Sequence, residues 1–165
     1  WCGGDLDKAL KYHKQALEIN RRISYLQGEA EDLGNIGSVY SEKGDLNEAL
    51  KYQKQALEIN RRIGYLQGEA ENLGKIGVIY SRKGALDEAL KYQKQALEIN
   101  RRIGYLKGEA ANLGNIGSII YAEKKDLDEA LKYLKQALEI FTKIGYSKGK
   151  KTTSDKIVEI KAQME

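Results

Sequence analysis

The chain has 165 residues, of which 41% are hydrophobic and 32% charged, with a net charge of +4. That composition excludes a disordered segment, and no apolar run approaches the roughly 20 residues that a membrane span requires. A single cysteine excludes an internal disulfide framework and a thiolate metal cage, and the small, evenly spread charge gives no reason to expect nucleic acid.

The sequence begins at Trp1 without an initiator methionine or a signal-peptide pattern and reads as an excerpt, so a cytoplasmic location is assumed by default. Its organisation comes from self-similarity. The segment EALKYQKQALEINRRIGYL at 48–66 recurs letter for letter at 88–106, with close copies at 8–26 and 129–147, a spacing of 40, 40 and 41 residues. All 11 tyrosines follow the same spacing, as Tyr12/52/92/133, Tyr25/65/105/146 and Tyr40/80/121. Helical patterning at such a period implies an all-α solenoid, in which each unit packs on its neighbours.

In chain order, a helix of a second type is expected near 5–23, entered directly from WCGGDLDKAL. The partner helix that precedes its later copies does not stand before it, so Ala9, Leu10 and Ala16 would face water beside Trp1. A first-type helix follows near 27–43. It ends at Lys43-Gly44-Asp45, where Gly44 suits a left-handed cap and Asp45 opens a capping box with Glu48. The next second-type helix, near 46–63, presents Leu46, Ala49, Leu50, Tyr52, Ala56, Leu57, Ile59 and Ile63 over a wide apolar face. Arg61 and Arg62 complement the dipole of its last turn and Gly64 caps it. The pattern then repeats, with first-type helices near 67–83, 108–124 and 149–164 and second-type helices near 86–103 and 127–144, about eight in all. Within 67–83, the face carries Leu66, Ala70, Leu73, Ile76, Gly77 and Tyr80 at helical spacing. The chain is thus divided into a half repeat at 1–26, full repeats at 27–66, 67–106 and 107–147, and a capping helix at 148–165.

Three features break the regularity. The third junction carries an extra residue at Ile119–Ile120 and Lys125 in place of the capping glycine, which predicts a π-bulge near Ile119–Ile120 or a reshaped turn at 124–126. In the last helix Lys151, Ser154 and Val158 replace packing residues, as a terminal cap requires. Six glycines (Gly34, Gly37, Gly74, Gly77, Gly114, Gly117) lie inside helices. Each costs about 1 kcal/mol relative to alanine. Close helix approach at Gly37 and its copies is expected to offset that cost.

The stretch LGNIGSVYSEKGDLNEALKYQKQALEI at 33–59 resembles the tetratricopeptide repeat, with the family's small contact residues falling on Gly37 and Ala49 and its later alanine on Ala56. The period of 40 is similar to the longer variants of Pins-type adaptors and microbial arrays. The chain departs from the family at the aromatic of the second helix, which is His13, Gln53, Gln93 or Leu134 here. The resemblance implies a right-handed superhelix whose first-type helices line a concave, peptide-binding groove.

Catalytic chemistry is not expected. The one histidine, His13, reads as a satisfied surface or edge residue, and Cys2 lies at the end of the chain. GYSKGKKT at 145–152 is one residue short of a phosphate loop and follows no strand. Pairs such as Glu29/Glu31 read as solvated faces. Arg21–Arg22, Arg61–Arg62 and Arg101–Arg102 read as dipole complements, with an anionic partner the lesser alternative. No cofactor and no metal site is expected.

A binding surface remains. The resemblance places Glu31, Asn35, Ser38 and Glu42 in the groove from one repeat, Glu71, Lys75, Val78 and Arg82 from the next, and Asn115 and Ser118 from the last, beside Ser41, Ser81 and Ala111. Gly34, Gly74 and Gly114 are expected to leave the groove floor bare, and Asn35 and Asn115 to meet a peptide backbone together. The expected partner is a protein or peptide segment, with neither nucleic acid nor membrane, and with homodimerisation through the N-terminal helix. The alternatives are a structural, self-associating array without a groove ligand and a regulatory sensor region of a larger protein.

Overall fold

The computed structural model describes residues 3–123 and 126–164. Among these it contains eight α-helices and no strand: α1 (Gly3–Arg22), α2 (Leu26–Glu42), α3 (Leu46–Ile63), α4 (Leu66–Arg82), α5 (Leu86–Ile103), α6 (Leu106–Ala122), α7 (Leu127–Lys143) and α8 (Ser147–Lys161). Each helix packs on the next, and α2, α4, α6 and α8 also touch in sequence. No described helix brings its backbone close to one further along, and the backbones of the second-type helices α1, α3, α5 and α7 stay apart from each other. The first-type helices therefore form the inner, more closely spaced layer of a curved stack. This is an α-solenoid.

The helix ends follow the local chemistry. The Asp45 carboxylate accepts from the Glu48 amide at 3.3 Å, and Asp126 does the same for Glu129 at 2.9 Å. Ala85 holds the equivalent place before α5 and supplies no such bond. Gly64 turns left-handed at φ 69°, with the amide of Tyr65 returning to the Asn60 carbonyl at 2.9 Å. Ser24 is forced into the same turn at φ 57°, a conformation that costs a residue with a side chain about 1 kcal/mol or more.

The core is a row of clusters rather than one centre. Leu17 of α1 packs with Leu33 and Ile36 of α2 and Ala56 of α3, and Leu57, Leu73, Ile76 and Ala96 repeat the arrangement one unit on. Burying each such leucine or isoleucine contributes about 2 kcal/mol. Close approach of the paired helices depends on Gly37, Gly77 and Gly117. A Cβ on Gly37 would lie 3.1 Å from the Ala49 carbonyl oxygen, and one on Gly117 would lie 2.9 Å from that of Ala130.

The irregular junction is resolved differently from the bulge expected at Ile119–Ile120. The helix stays α-helical to Ala122, and the Glu123 amide bonds the Ile119 carbonyl at 3.0 Å. Helix α6 has the same 17 residues as α2 and α4, so the extra residue is not absorbed within it and lies between Glu123 and Asp126 in the sequence. Of the reshaped turn expected at 124–126, residues 124 and 125 lie outside the described residues. Asp126 is extended at φ −154°, where Asp45 has φ −81°. Keeping the helix regular shifts the tyrosine by one position, about 100° around the axis. Ile120 takes the core place that Tyr40 and Tyr80 fill by stacking on Tyr52 and Tyr92 at 5.4 Å. Tyr121 turns towards α8, donates to Glu159 at 3.1 Å and accepts from Gln163. Its spacing therefore does not make it the counterpart of Tyr40.

Candidate inner-groove binding site

Residues four and seven apart on the first-type helices fall on one face, and here that face lines the inner layer. Between α2, α4 and α6 lies a cavity of about 430 Å³, walled by Ser38, Ser41 and Glu42 on one side and by Ala111, Asn112 and Asn115 on the other. Its middle is formed by α4, through Ala70, Glu71, Gly74, Lys75, Val78 and Ile79. A second hollow of about 250 Å³, between α6 and α8, shares Ala111 and Asn115 with the first and adds Ser118, Lys148, Thr152 and Lys156. The two form one trough.

Of the residues assigned from sequence, Ser38, Glu42, Glu71, Lys75, Val78 and Asn115 line the larger cavity, and Ser118 lines the smaller one. Glu31 and Asn35 are exposed on α2 and line neither. Arg82 bridges helices instead, donating to the Ser41 carbonyl at 2.7 Å and to its hydroxyl at 2.6 Å. Asn35 and Asn115 thus do not share a cavity. Gly34 is not bare floor either. It is buried beneath Asn72, and its carbonyl accepts from Gln53 at 2.8 Å and from Ser38 at 3.0 Å. Gly74 and Gly114 do line the trough.

Lys75 is half-buried, and among the described residues it makes no hydrogen bond or ion pair. Burial pushes its ammonium below the usual lysine value, opposed by the Glu71 carboxylate one turn away. The arginine pairs do not form a continuous basic ridge. Arg21, Arg61 and Arg101 each hold Glu29, Glu69 or Glu109 at 2.9 Å, so those glutamates are ion-paired rather than merely solvated.

Sequence reasoning missed a buried amide ladder. Gln93, fully buried, donates to the Gly74 carbonyl at 2.8 Å; its own oxygen accepts from Asn112 at 2.7 Å, and the Asn112 oxygen accepts from Asn100 at 2.7 Å. Gln53, Asn72 and Asn60 repeat it one unit earlier. At the start of the chain the ladder becomes His13–Asp32–Asn20, at 3.4 and 2.7 Å. His13 is therefore a structural partner of α2. At the other end Leu134, Phe141 and Thr153 stand in the three places and are buried. The available signal was the recurrence of Gln53, Asn60 and Asn72 in phase with the apolar face. A carbonyl cannot donate, so the Gly74 end fixes the orientation of every amide in the ladder. Among the described residues the Asn60 and Asn100 oxygens, both shielded from solvent, have no hydrogen-bond partner.

Among the described residues no cluster of three metal-binding side chains exists, and no helix is long and apolar enough to cross a membrane. The segment 145–152 forms a glycine turn and the start of α8 after another helix, with Gly145 at φ 69°.

The tetratricopeptide repeat family model matches residues 1–62 and 68–143. No curated protein matches the chain significantly. Among solved structures, the apo form of RapI shares the fold at a TM-score of 0.83 and 22% identity, covering 98% of this chain and 45% of that one. Aspartyl phosphate phosphatase F from Bacillus subtilis gives 0.87 and 16%, covering 97% and 43%. A Rap protein complexed with competence and sporulation factor gives 0.78 and 22%, covering 97% and 48%. The chain spans less than half the length of each of these proteins.

Proposed function

Because the chain belongs to the tetratricopeptide repeat family, we propose that it is a non-enzymatic binding module that holds a protein or peptide segment in the trough along α4, α6 and α8. One observation carries this reading. The outer helices α3 and α5 are identical except at Asn47/Asp87, whereas the inner helices α2 and α4 differ at Asn35/Lys75, Ser38/Val78 and Glu42/Arg82 on the inner face. Their only other differences are Asp32/Asn72 and Val39/Ile79. Packing alone would hold inner and outer faces equally constant; ligand selection individualises the inner one. A Rap protein of this fold has been solved in complex with competence and sporulation factor, which supports binding of another molecule as the function class.

The test is selection of random displayed peptides on the chain. Selected peptides should lose binding to Val78→Arg, a substitution at an exposed position, and should shift amide resonances of α4 and α6. Peptides that tolerate the substitution and perturb only α3 and α5 would refute the groove.

A second reading is favoured by the outer end of α1, where Tyr12, Ile19 and Ile23 are 68%, 56% and 63% exposed. In α3 the counterpart Tyr52 is covered by Tyr40. The occupant would be α1 of a second copy, since Val158 replaces the contact glycine on α8 and blocks head-to-tail stacking. Sedimentation of the chain should show a concentration-dependent dimer that Tyr12→Lys abolishes; a monomer throughout would refute it.

A further inference from the structure

We infer that Lys75 is a covalent capture site in the larger cavity, where its amine takes an aliphatic aldehyde as a reversible Schiff base and the apolar wall of α4 and α6 holds the alkyl chain. The inference goes beyond the peptide reading and does not depend on it.

Among the described lysines only Lys75 and Lys156 are half-buried, and Lys156 is engaged by Glu159 at 2.7 Å. Lys75 lines the cavity without a hydrogen bond or ion pair to any described residue, and the carboxylate one turn before it, Glu71, accepts from Gln67 at 3.2 Å. The fold does not require a lysine at this place, since asparagine holds the same register in the flanking units (Asn35, Asn115). Half-burying an unpartnered ammonium costs free energy that asparagine avoids. A lysine sheds that cost by giving up its proton, and burial moves Lys75 in this direction. The neutral amine that results carries a lone pair, and an amine held neutral against apolar walls is the form that adds to a carbonyl carbon.

The surroundings select the electrophile. Ala70, Val78, Ile79 and Ala111 line the same cavity, whose volume of about 430 Å³ leaves room for an alkyl chain. Its other titratable groups are Glu42 from α2, Glu71 from α4, and Tyr105 and Lys107 at the start of α6. The two carboxylates balance the two lysines, so the cavity has no net charge to draw an anion. A neutral carbonyl compound with an apolar tail suits both the walls and the amine, and an aldehyde leaves one side of its carbonyl carbon open to attack. In the reaction the Nζ lone pair forms the C–N bond, the two amine protons pass to the carbonyl oxygen, and that oxygen leaves as water. The balance needs no oxidant, reductant or further reactant, and returning water reverses it.

The test incubates the wild-type chain at neutral pH with hexanal or with acetaldehyde, fixes the imine with cyanoborohydride, and measures the rate at each lysine by peptide mass spectrometry. Hexanal should label Lys75 at least about ten-fold faster than the exposed Lys91 of α5. The ratio of hexanal to acetaldehyde labelling should also be about ten-fold higher at Lys75 than at Lys91, because the cavity wall buries the longer chain. Val78→Arg, which breaks that wall at an exposed position, should bring the two ratios together. The advantage of Lys75 should shrink as the pH approaches 10.5, the ordinary value of the group, where an unburied lysine is losing its proton as well. Labelling of Lys75 no faster than that of Lys91 would overturn the inference, and so would equal chain-length ratios at the two lysines of the wild-type chain.

Discussion

Replacing Asn112 by alanine removes the middle rung of a buried ladder while leaving its ends in place. The Gln93 oxygen loses its donor at 2.7 Å and the Asn100 amide loses its acceptor at 2.7 Å, both inside the stack. Each buried group left unpaired costs about 1–3 kcal/mol, so the substitution should cost about 2–6 kcal/mol in all. That is a large fraction of the ~5–15 kcal/mol available to a domain. The chain itself shows how to remove the ladder at little cost, because its last unit carries Leu134, Phe141 and Thr153 in the three places. The triple variant Gln93→Leu, Asn100→Phe, Asn112→Thr leaves no ladder amide unpaired and should lie within about 2 kcal/mol of wild type. Urea unfolding followed by far-UV circular dichroism reads both, with m compared between variants to check that cooperativity is unchanged. A single substitution milder than the triple one would refute the account of the ladder as an all-or-none network.

Ala85→Asp should restore the missing N-cap of α5 and raise stability by about 1 kcal/mol in the same assay. Ser24→Gly should relieve the left-handed turn after α1 and raise it by about 0.5–1 kcal/mol. Because burial lowers the Lys75 value in the folded state, the unfolded chain binds more protons as pH climbs towards 10.5, the ordinary value of the group. Wild type should therefore gain stability relative to Lys75→Asn over that rise, which unfolding curves at successive pH values would check.

Most of the scaffold was legible because each helix boundary carries its own chemistry. Gly44, Asp45 and Gly64 mark turns that depend on a few local bonds, and the period repeats them. Gly37 was readable as a contact point because a mid-helix glycine is costly unless a neighbour occupies its space. The ladder was not legible, since glutamine and asparagine on a helix read as solvated until a second helix is placed over them. Tyr121 misled for a related reason: letter spacing carries the tyrosine along, whereas side-chain direction follows the helix turn, and the turn favoured Ile120. At the trough, the register of Lys75 and Asn115 gave the helix face they share, and that face lines the larger cavity. Asn35 lies outside both cavities because its register gives the face but not whether a wall stands opposite, and among the described residues α2 meets a first-type neighbour only in α4.

The near-identity of α3 and α5 has a consequence for how the chain reaches its fold. Helix α2 could pair with α5 almost as well as with α3, since only Asn47 and Asp87 distinguish them. A collapsing chain can thus close with one whole unit looped out, at a loop-closure cost that grows only slowly with the length skipped. Local sequence does little to penalise that mistake. The irregular end does penalise it: Leu134 and Phe141 fit beside α6 and α8, but moved one unit back they would leave Asn112 without its partners Gln93 and Asn100. The unit that breaks the repeat is therefore the landmark from which the identical ones can be counted, and slow refolding phases should shorten when a second such landmark is written into α3.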